Sequence, residues 1–306
     1  MIRSIELIPA DREGLLLEID KPEDTGILVK SIDGLGPAKA TINTTALSLT
    51  DSAMFNGSRV GMRTITLTLL PLEVPTVERA RHRIYNLLPI KQPVTIIVRT
   101  DTRVVKTLGY VESSEPDIFS KEEAIKVVLI CPDGYWSDGA EDTQNYLPFV
   151  QEHAAFEFDW EDTPLSESPT LIFSKTVGLP SVILENGGDV PAGFTIMIDI
   201  LKDNATPITI YDDVRNQHLT LTTKWHPDAN VTQPAKEGDR FYINTRVGHK
   251  AVTRIRNGKA EKALHLLDID SDWLMLYPGE NRLYYTINVG GGARVSLSRD
   301  ILYQGV

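Results

Sequence analysis

The sequence predicts an all-β protein with one α-helix, and three observations support this. Short runs rich in β-branched residues recur along most of the 306 residues, separated by Gly, Pro and Asn. Only one segment has the 3.6-residue period of an amphipathic helix. Strands and helices do not alternate, which argues against the parallel sheets of α/β enzymes.

The first half of the chain contains strands that alternate apolar and polar residues or cluster β-branched ones. These predicted strands cover residues 40–44, 64–69 and 94–98. Residues 103–130 are predicted to form a long hairpin, because two β-rich runs flank a polar connection that contains a proline. The helix is predicted from Thr76 to about Leu88, capped by Thr76 and stopped by Pro89.

A second domain is expected because 306 residues exceed the size at which one hydrophobic core keeps growing. Residues 137–168 are acidic and loop-rich, so we place the boundary near their start and predict domains 1–138 and 139–306. Further strands are predicted at 181–184, 194–200, 207–211, 218–222, 282–287 and 293–297. A type II turn is predicted at Pro278-Gly279 and a hairpin tip at 290–292. Several short strands separated by turn residues at this spacing are typical of an antiparallel sandwich or jelly roll.

Charge and composition exclude several classes of protein. The chain has 31 Lys and Arg against 42 Asp and Glu, a net charge of −11, which repels polyanions, so nucleic acid is not an expected partner. The basic run 79–83 is interpreted as a solvated helix face. We expect neither a secretory signal, because residues 1–7 continue into charged residues, nor a membrane-spanning segment, because no later run is long and apolar enough. Cys131 is the only cysteine, which excludes an internal disulfide and a Cys-based zinc site and favours assembly in a reducing cytoplasm.

Two local motifs resemble ligand-binding loops but lack necessary residues. The run Asp268-Ile269-Asp270-Ser271-Asp272 begins like a calcium loop, yet Trp273 and Gly279 stand where that loop needs Gly and Glu. The run Gly34-Leu35-Gly36-Pro37 begins like a dinucleotide fingerprint, yet Pro37 and the lack of a following helix remove the amide donors that a pyrophosphate needs. We therefore expect no catalytic residues, no cofactor and no metal.

Three alternatives remain open. A zinc site from His218, His226 and Asp228 is sterically conceivable. Acidic residues beside Trp160 are the first candidates for a glycosidase: Asp159, Glu161 and Asp162. Trp225 and Trp273 are candidates for stacking on sugar rings, which would make the chain a carbohydrate-binding β-sandwich protein.

Several segments, read in order, resemble the distal tail proteins of siphophages, the siphovirus-type tail components. The stretch from Ile130 to Trp136 is similar to the family's Cys-Pro-Asp-Pro-Tyr run, with Gly134 in place of the second Pro. Residues 51–59 resemble the family's short loop, and the strand that Arg63 begins resembles its Arg-led strand. Residues 185–191 and 271–281 are similar to segments of the second domain. The likeness spans nearly the whole chain, although each motif alone is only moderately specific.

The resemblance implies a structural role in a phage or prophage tail, not an enzyme. The first domain would form a hexameric ring on the tail tube, and the second would be a galectin-like or carbohydrate-module-like sandwich. Implied partners are the tail tube protein, the tail hub or tail-associated lysin, the tape measure protein and a receptor-binding protein. The protein would reside in the virion tail after assembly in the bacterial cytoplasm. We predict that neighbouring subunits meet at Met54, Phe55, Asn56 and Arg59 and at the hairpin 103–130.

Overall fold

The computed structural model describes residues 1–47, 51–72, 76–119, 123–139, 146–149, 180–222, 234–288 and 292–306. Its first elements are β1 (Ile2–Pro9), β2 (Leu15–Glu18), α1 (Pro22–Thr25), β3 (Ile27–Asp33), β4 (Ala40–Ala46), β5 (Ala53–Val60), β6 (Arg63–Pro71), α2 (Val77–Leu87), β7 (Pro93–Thr100), β8 (Val104–Pro116), β9 (Ile125–Cys131) and β10 (Trp136–Asp138). The remaining strands are β11 (Leu147–Pro148), β12 (Ser181–Asn186), β13 (Phe194–Lys202), β14 (Ile208–Asp212), β15 (Gln217–Leu221), β16 (Arg240–Asn244), β17 (Ala251–Arg256), β18 (Lys259–Lys262), β19 (Gly279–Thr286), β20 (Gly292–Arg299) and β21 (Leu302–Tyr303), and a short 3-10 helix spans Leu264–Leu266.

The chain divides into two compact units. Unit 1 comprises Met1–Thr143, Gly188–Val190 and Ile301–Val306, and unit 2 comprises Gln144–Gly187 and Pro191–Asp300. The end of the chain therefore belongs to unit 1, where β21 pairs with β10. The single boundary predicted after residue 138 is an inference from composition and stays a prediction.

Unit 1 is built on a nine-stranded, nearly closed antiparallel sheet. Its main path runs β2-β1-β7-β8-β9-β6-β3, and β10 and β21 extend it beside β8. Apolar residues alternate along these strands, so one face of β6, for example, is fully buried at Ile65, Leu67 and Leu69. Helix α2 adds Ala80 and Ile84 to the buried residues. Thr76 caps it by accepting a hydrogen bond from the Arg79 backbone N–H at 3.3 Å, as predicted.

Unit 2 is a two-sheet antiparallel sandwich. The larger sheet has the order β11-β20-β13-β16-β17-β18, and the smaller sheet has the order β12-β19-β14-β15. Inward residues of both sheets form one core that includes Phe194, Phe241 and Leu283. Gly279 has φ +90°, as position i+2 of the predicted type II turn requires.

The all-β prediction is confirmed, with two corrections. The four-residue helix α1 is a second helix, and it is too short to produce a periodic signal in the sequence. The predicted hairpin tip at 290–292 is also wrong, because β19 and β20 do not pair and lie in different sheets. A glycine-rich connection permits a crossing between sheets as readily as a tight turn. Residues 289–291 themselves lie outside the described residues.

Candidate functional site

The most exposed secondary structure in unit 1 is a separate hairpin formed by β4 and β5. Among the residues that the structure describes, these two strands pair only with each other. Every residue of β4 is exposed, and so is every residue of β5 except Gly57. Two strands without a third strand or a helix against them are marginally stable in water. This hairpin, which we call the β4–β5 arm, is therefore suited to packing against another molecule.

A β-bulge in the arm decides which side chains share a face. Asn43 lies opposite Gly57, but Thr44 lies opposite Phe55, so Asn56 is the extra residue. The Asn56 side-chain amide donates a hydrogen bond to Thr45 Oγ1 at 2.6 Å, so the side chain of the extra residue is held against the neighbouring strand. Because of the bulge, Phe55 faces the same side as Ile42 instead of the opposite side.

The arm consequently has one apolar face and one mixed face. Ile42 and Phe55 are 62% and 63% exposed on the apolar face. The other members of this face are Ala40, Thr44, Ala46, Ala53, Ser58 and Val60. The opposite face carries Thr41, Asn43, Thr45, Met54, Gly57 and Arg59. Exposed apolar side chains that share one face are typical of interaction surfaces.

The structure places all four predicted interface residues on strand β5. The prediction of a loop at 51–59 is therefore wrong, because most of this segment pairs with β4. The segment has the composition of a loop because it contains Asn56, Gly57 and Ser58. Both faces of the arm are exposed, so its sequence lacks the apolar–polar alternation of a strand with one buried face. Phe55 belongs to the apolar face, whereas Met54 and Arg59 belong to the opposite one. Their role between subunits stays a prediction.

The second predicted contact, the hairpin 103–130, is present as β8 and β9. At its tip Phe119 is fully exposed, and Ile118 is half exposed. Leu108 and Tyr110 also point away from the core along β8. Residues 120–122 lie outside the described residues. This hairpin therefore adds further apolar surface to unit 1.

Several of the residues that the sequence suggested for chemistry lie in the described part of the chain, where their contacts are structural. Cys131 is buried, as predicted, and burial raises the pKa of its thiol to about 11. The Asp272 carboxylate accepts a hydrogen bond from the His218 backbone N–H at 3.2 Å, and Asp268 accepts one from the Asp270 backbone N–H at 3.3 Å. These contacts are those of acidic turn residues. Over the described ranges, no three His, Cys, Asp or Glu side chains are grouped as ligands for a metal ion.

Of the two tryptophans predicted to stack on sugars, only Trp273 is described. It is partly buried against the core of unit 2, and the Lys250 ammonium lies 5.1 Å from its ring centroid. These contacts are those of a side chain that packs against the core. The predicted role of Trp273 in sugar binding stays a prediction. Outside the described residues lie Trp225, His226, Asp228 and the acidic group Asp159, Glu161 and Asp162.

Within the part of the chain that the structure describes, no helix has both the length and the apolar character to cross a bilayer.

Neither a protein-family model nor a curated protein sequence matches the chain. The fold and the exposed arm define an all-β protein of two compact units with surfaces suited to assembly. Among solved structures, the chain is similar to the SPP1 Dit (gp 19.1) protein, described as a paradigm of the hub adsorption apparatus in phages that infect Gram-positive bacteria. That match has a TM-score of 0.60 at 12% identity and covers 96% of this chain and 98% of that one.

A chain of the phage P2 baseplate in its activated conformation with calcium is also similar, with a TM-score of 0.50 at 11% identity over the full length of both chains. The sequence-based resemblance to siphophage distal tail proteins is therefore confirmed at the level of the fold. Both units take part in the likeness, since it covers nearly the whole chain in each case.

Proposed function

We propose that this protein is a non-catalytic structural component of a phage or prophage tail. It forms a hexameric ring that joins the tail tube to the baseplate hub and the host-adsorption apparatus. The β4–β5 arm carries this proposal, because an exposed hairpin with an apolar face needs a partner to cover it. The full-length likeness to phage hub and baseplate chains supports it.

The neighbouring copy is the partner that we assign to the arm. The exposed outer side of the β8–β9 hairpin, with Leu108 and Tyr110, offers a second and different apolar surface in the same unit. Contact between two different surfaces is heterologous, and such contacts form a ring when the rotation from one copy to the next closes after a whole number of copies. The proposed further partners are the tail tube protein, the hub or tail-associated lysin, the tape measure protein and a receptor-binding protein. The proposed location is the virion tail.

Sedimentation velocity of the full chain tests the ring. The wild type is expected to give a sedimentation coefficient that corresponds to about six chains. The Phe55→Asp variant is expected to give a smaller coefficient, closer to that of the monomer. Thr41→Asp is the matched control, since Thr41 is an exposed β4 residue on the opposite face of the arm. A wild type that stays monomeric at all concentrations, or a Phe55→Asp protein that assembles normally, would reject this arrangement.

The alternative is a carbohydrate-binding β-sandwich protein. A monomer whose migration is retarded in glycan affinity electrophoresis would favour it, and a ring without such retardation would favour the tail component.

A further inference from the structure

The basic run 79–83 of helix α2 has side chains in different environments. Ala80 is buried, and the Arg81 guanidinium pairs with the Glu123 carboxylate at 3.2 Å. The remaining basic side chains share one exposed face of the helix with an amide, because positions i, i+3, i+4 and i+7 lie on the same side. This face, which we call the basic face of α2, consists of Arg79, His82, Arg83 and Asn86.

An open depression of about 550 Å³ lies against the basic face of α2. Its other walls are the turn between β1 and β2, with Glu13, and the end of α1, with Thr25. Two arginines join these walls to the helix. Arg12 donates a hydrogen bond to the Asn86 backbone carbonyl, and Arg83 Nη1 donates one to the Thr25 backbone carbonyl at 3.1 Å. The depression is therefore formed by three segments of unit 1 that are held together.

The lining of the depression carries more positive than negative charge. Arg79 and Arg83 contribute two guanidinium groups, and Glu13 contributes the one carboxylate. The acceptor for Arg83 is a neutral carbonyl, so that hydrogen bond does not compensate its charge. The Arg79 side chain forms neither a hydrogen bond nor an ion pair with any residue that the structure describes. An excess positive charge therefore faces the depression, in a chain whose net charge is −11.

The spacing of these groups favours a polypeptide over a small anion. The backbone positions of Arg79 and Arg83 are one helical turn apart, roughly 6 Å along the axis. Alternate residues of an extended chain point to the same side and are roughly 6.6 Å apart. Carboxylates at alternate positions of an extended segment therefore match the two guanidinium groups. The polar positions from Arg79 to Asn86 extend over roughly 10 Å of helix, which is longer than a single phosphate group.

We propose that this depression binds an extended acidic segment of a partner protein, with carboxylates at alternate positions. The Arg79 and Arg83 guanidinium groups pair with two of these carboxylates, and the Ala80 and Leu87 side chains contact the apolar atoms between them. Complementary charge of this kind gives specificity and speeds association. The partner is identified by its chemistry alone, and the inference does not rest on the ring.

Calorimetric titration of the full-length protein tests the proposal with three probes. These are the peptide Ala-Glu-Ala-Glu-Ala, its neutral counterpart Ala-Gln-Ala-Gln-Ala, both with blocked ends, and inorganic phosphate. The acidic peptide is expected to bind at least about tenfold more tightly than the neutral one, because a charge-assisted hydrogen bond contributes that much. Added salt is expected to weaken binding of the acidic peptide. Phosphate that binds as tightly as the acidic peptide would overturn the proposal and assign the depression to a small anion.

Variants of opposite sign separate this site from non-specific attraction. Arg79→Gln is expected to reduce the preference for the acidic peptide about tenfold, and the protein is expected to keep its fold because this side chain has no partner to lose among the described residues. Glu13→Gln is expected to strengthen binding about two- to fivefold, because it removes the one carboxylate of the lining. Arg282→Gln is the control, since Arg282 is an exposed arginine on β19 of unit 2.

The proposal is overturned by absence of binding, by equal binding of the acidic and neutral peptides, or by binding that Arg79→Gln leaves unchanged. Sedimentation velocity on the same samples reports the ring separately. Loss of the ring in Arg79→Gln would assign this face to a contact between copies and overturn the proposal. A wild type that binds the acidic peptide but forms no ring would support this inference and reject the ring alone.

Discussion

Arg63 donates a hydrogen bond from Nη2 to the backbone carbonyl of Gln304 at 2.8 Å, across 241 positions of the chain. The same guanidinium donates to the carbonyls of Gly34, Gly36 and Gly134, and it lies 5.0 Å from the centroid of the Trp136 ring. Arg63 is only 2% exposed, and burial lowers the pKa of its guanidinium. One buried cation therefore holds three separate segments of unit 1 together.

Replacing Arg63 is expected to destabilise unit 1 strongly. Arg63→Ala leaves four carbonyl groups without their donor, and because each unsatisfied buried acceptor costs about 1–3 kcal/mol, a loss of about 3 kcal/mol or more is expected. Arg63→Lys is not expected to restore the stability, because one ammonium group cannot reproduce the planar fork of donors. Chemical denaturation followed by tryptophan fluorescence measures the loss. The control is Arg59→Ala, an exposed site in the arm, which is expected to change the free energy of unfolding very little.

The loop that receives Arg63 supplies a second prediction. Gly34 has φ +89°, and a Cβ atom there would lie 2.0 Å from the Thr64 carbonyl oxygen. Gly34→Ala is therefore expected to destabilise the protein by more than about 1 kcal/mol, because it adds a clash with backbone to an unfavourable φ. Gly36→Ala is the matched control, since a Cβ atom at Gly36 meets no atom within 4 Å. Equal melting temperatures for the two variants would contradict the loop geometry described above.

The two faces of the β4–β5 arm make a prediction about assembly. Ile42→Asp is expected to weaken ring formation as Phe55→Asp does, because both side chains belong to the apolar face. If the apolar face is the contact, Met54→Asp is expected to leave the ring intact, whereas the sequence-based prediction places Met54 in the contact. Light scattering coupled to size exclusion compares the three variants at equal concentration. If Met54→Asp dissociated the ring while Ile42→Asp did not, the opposite face would be the contact.

The buried thiol of Cys131 predicts an alkaline loss of stability. Its pKa is raised to about 11 chiefly by burial, against a lower value in the unfolded chain. The protonated thiol is thus favoured by folding, so this contribution is fully present below the unfolded pKa and is lost as pH rises toward 11. Urea midpoints measured between neutral pH and pH 11 are expected to fall less steeply for Cys131→Ala than for the wild type. Parallel slopes would show that the thiol does not contribute.

Local sequence determined much of this fold. The strands 64–69, 94–98 and 194–200 and the capped helix α2 were predictable, because alternation, helical period and capping act over a few residues. Pro116 and the β-rich runs beside it were sufficient to predict the β8–β9 hairpin. The burial of Cys131 followed from its position at the end of an apolar strand.

Tertiary structure alone decided how distant segments meet. Neither the pairing of β21 with β10 nor the Arg63 contact to Gln304 has a local signal, because their partners lie more than 150 positions apart. The sequence argued against a phosphate loop at Gly34–Gly36, but it gave no sign that the carbonyls of these two glycines accept hydrogen bonds from Arg63. In the arm, the bulge at Asn56 decides on which face Phe55 lies. The sequence of one strand does not predict this bulge, because the pairing register depends on both strands.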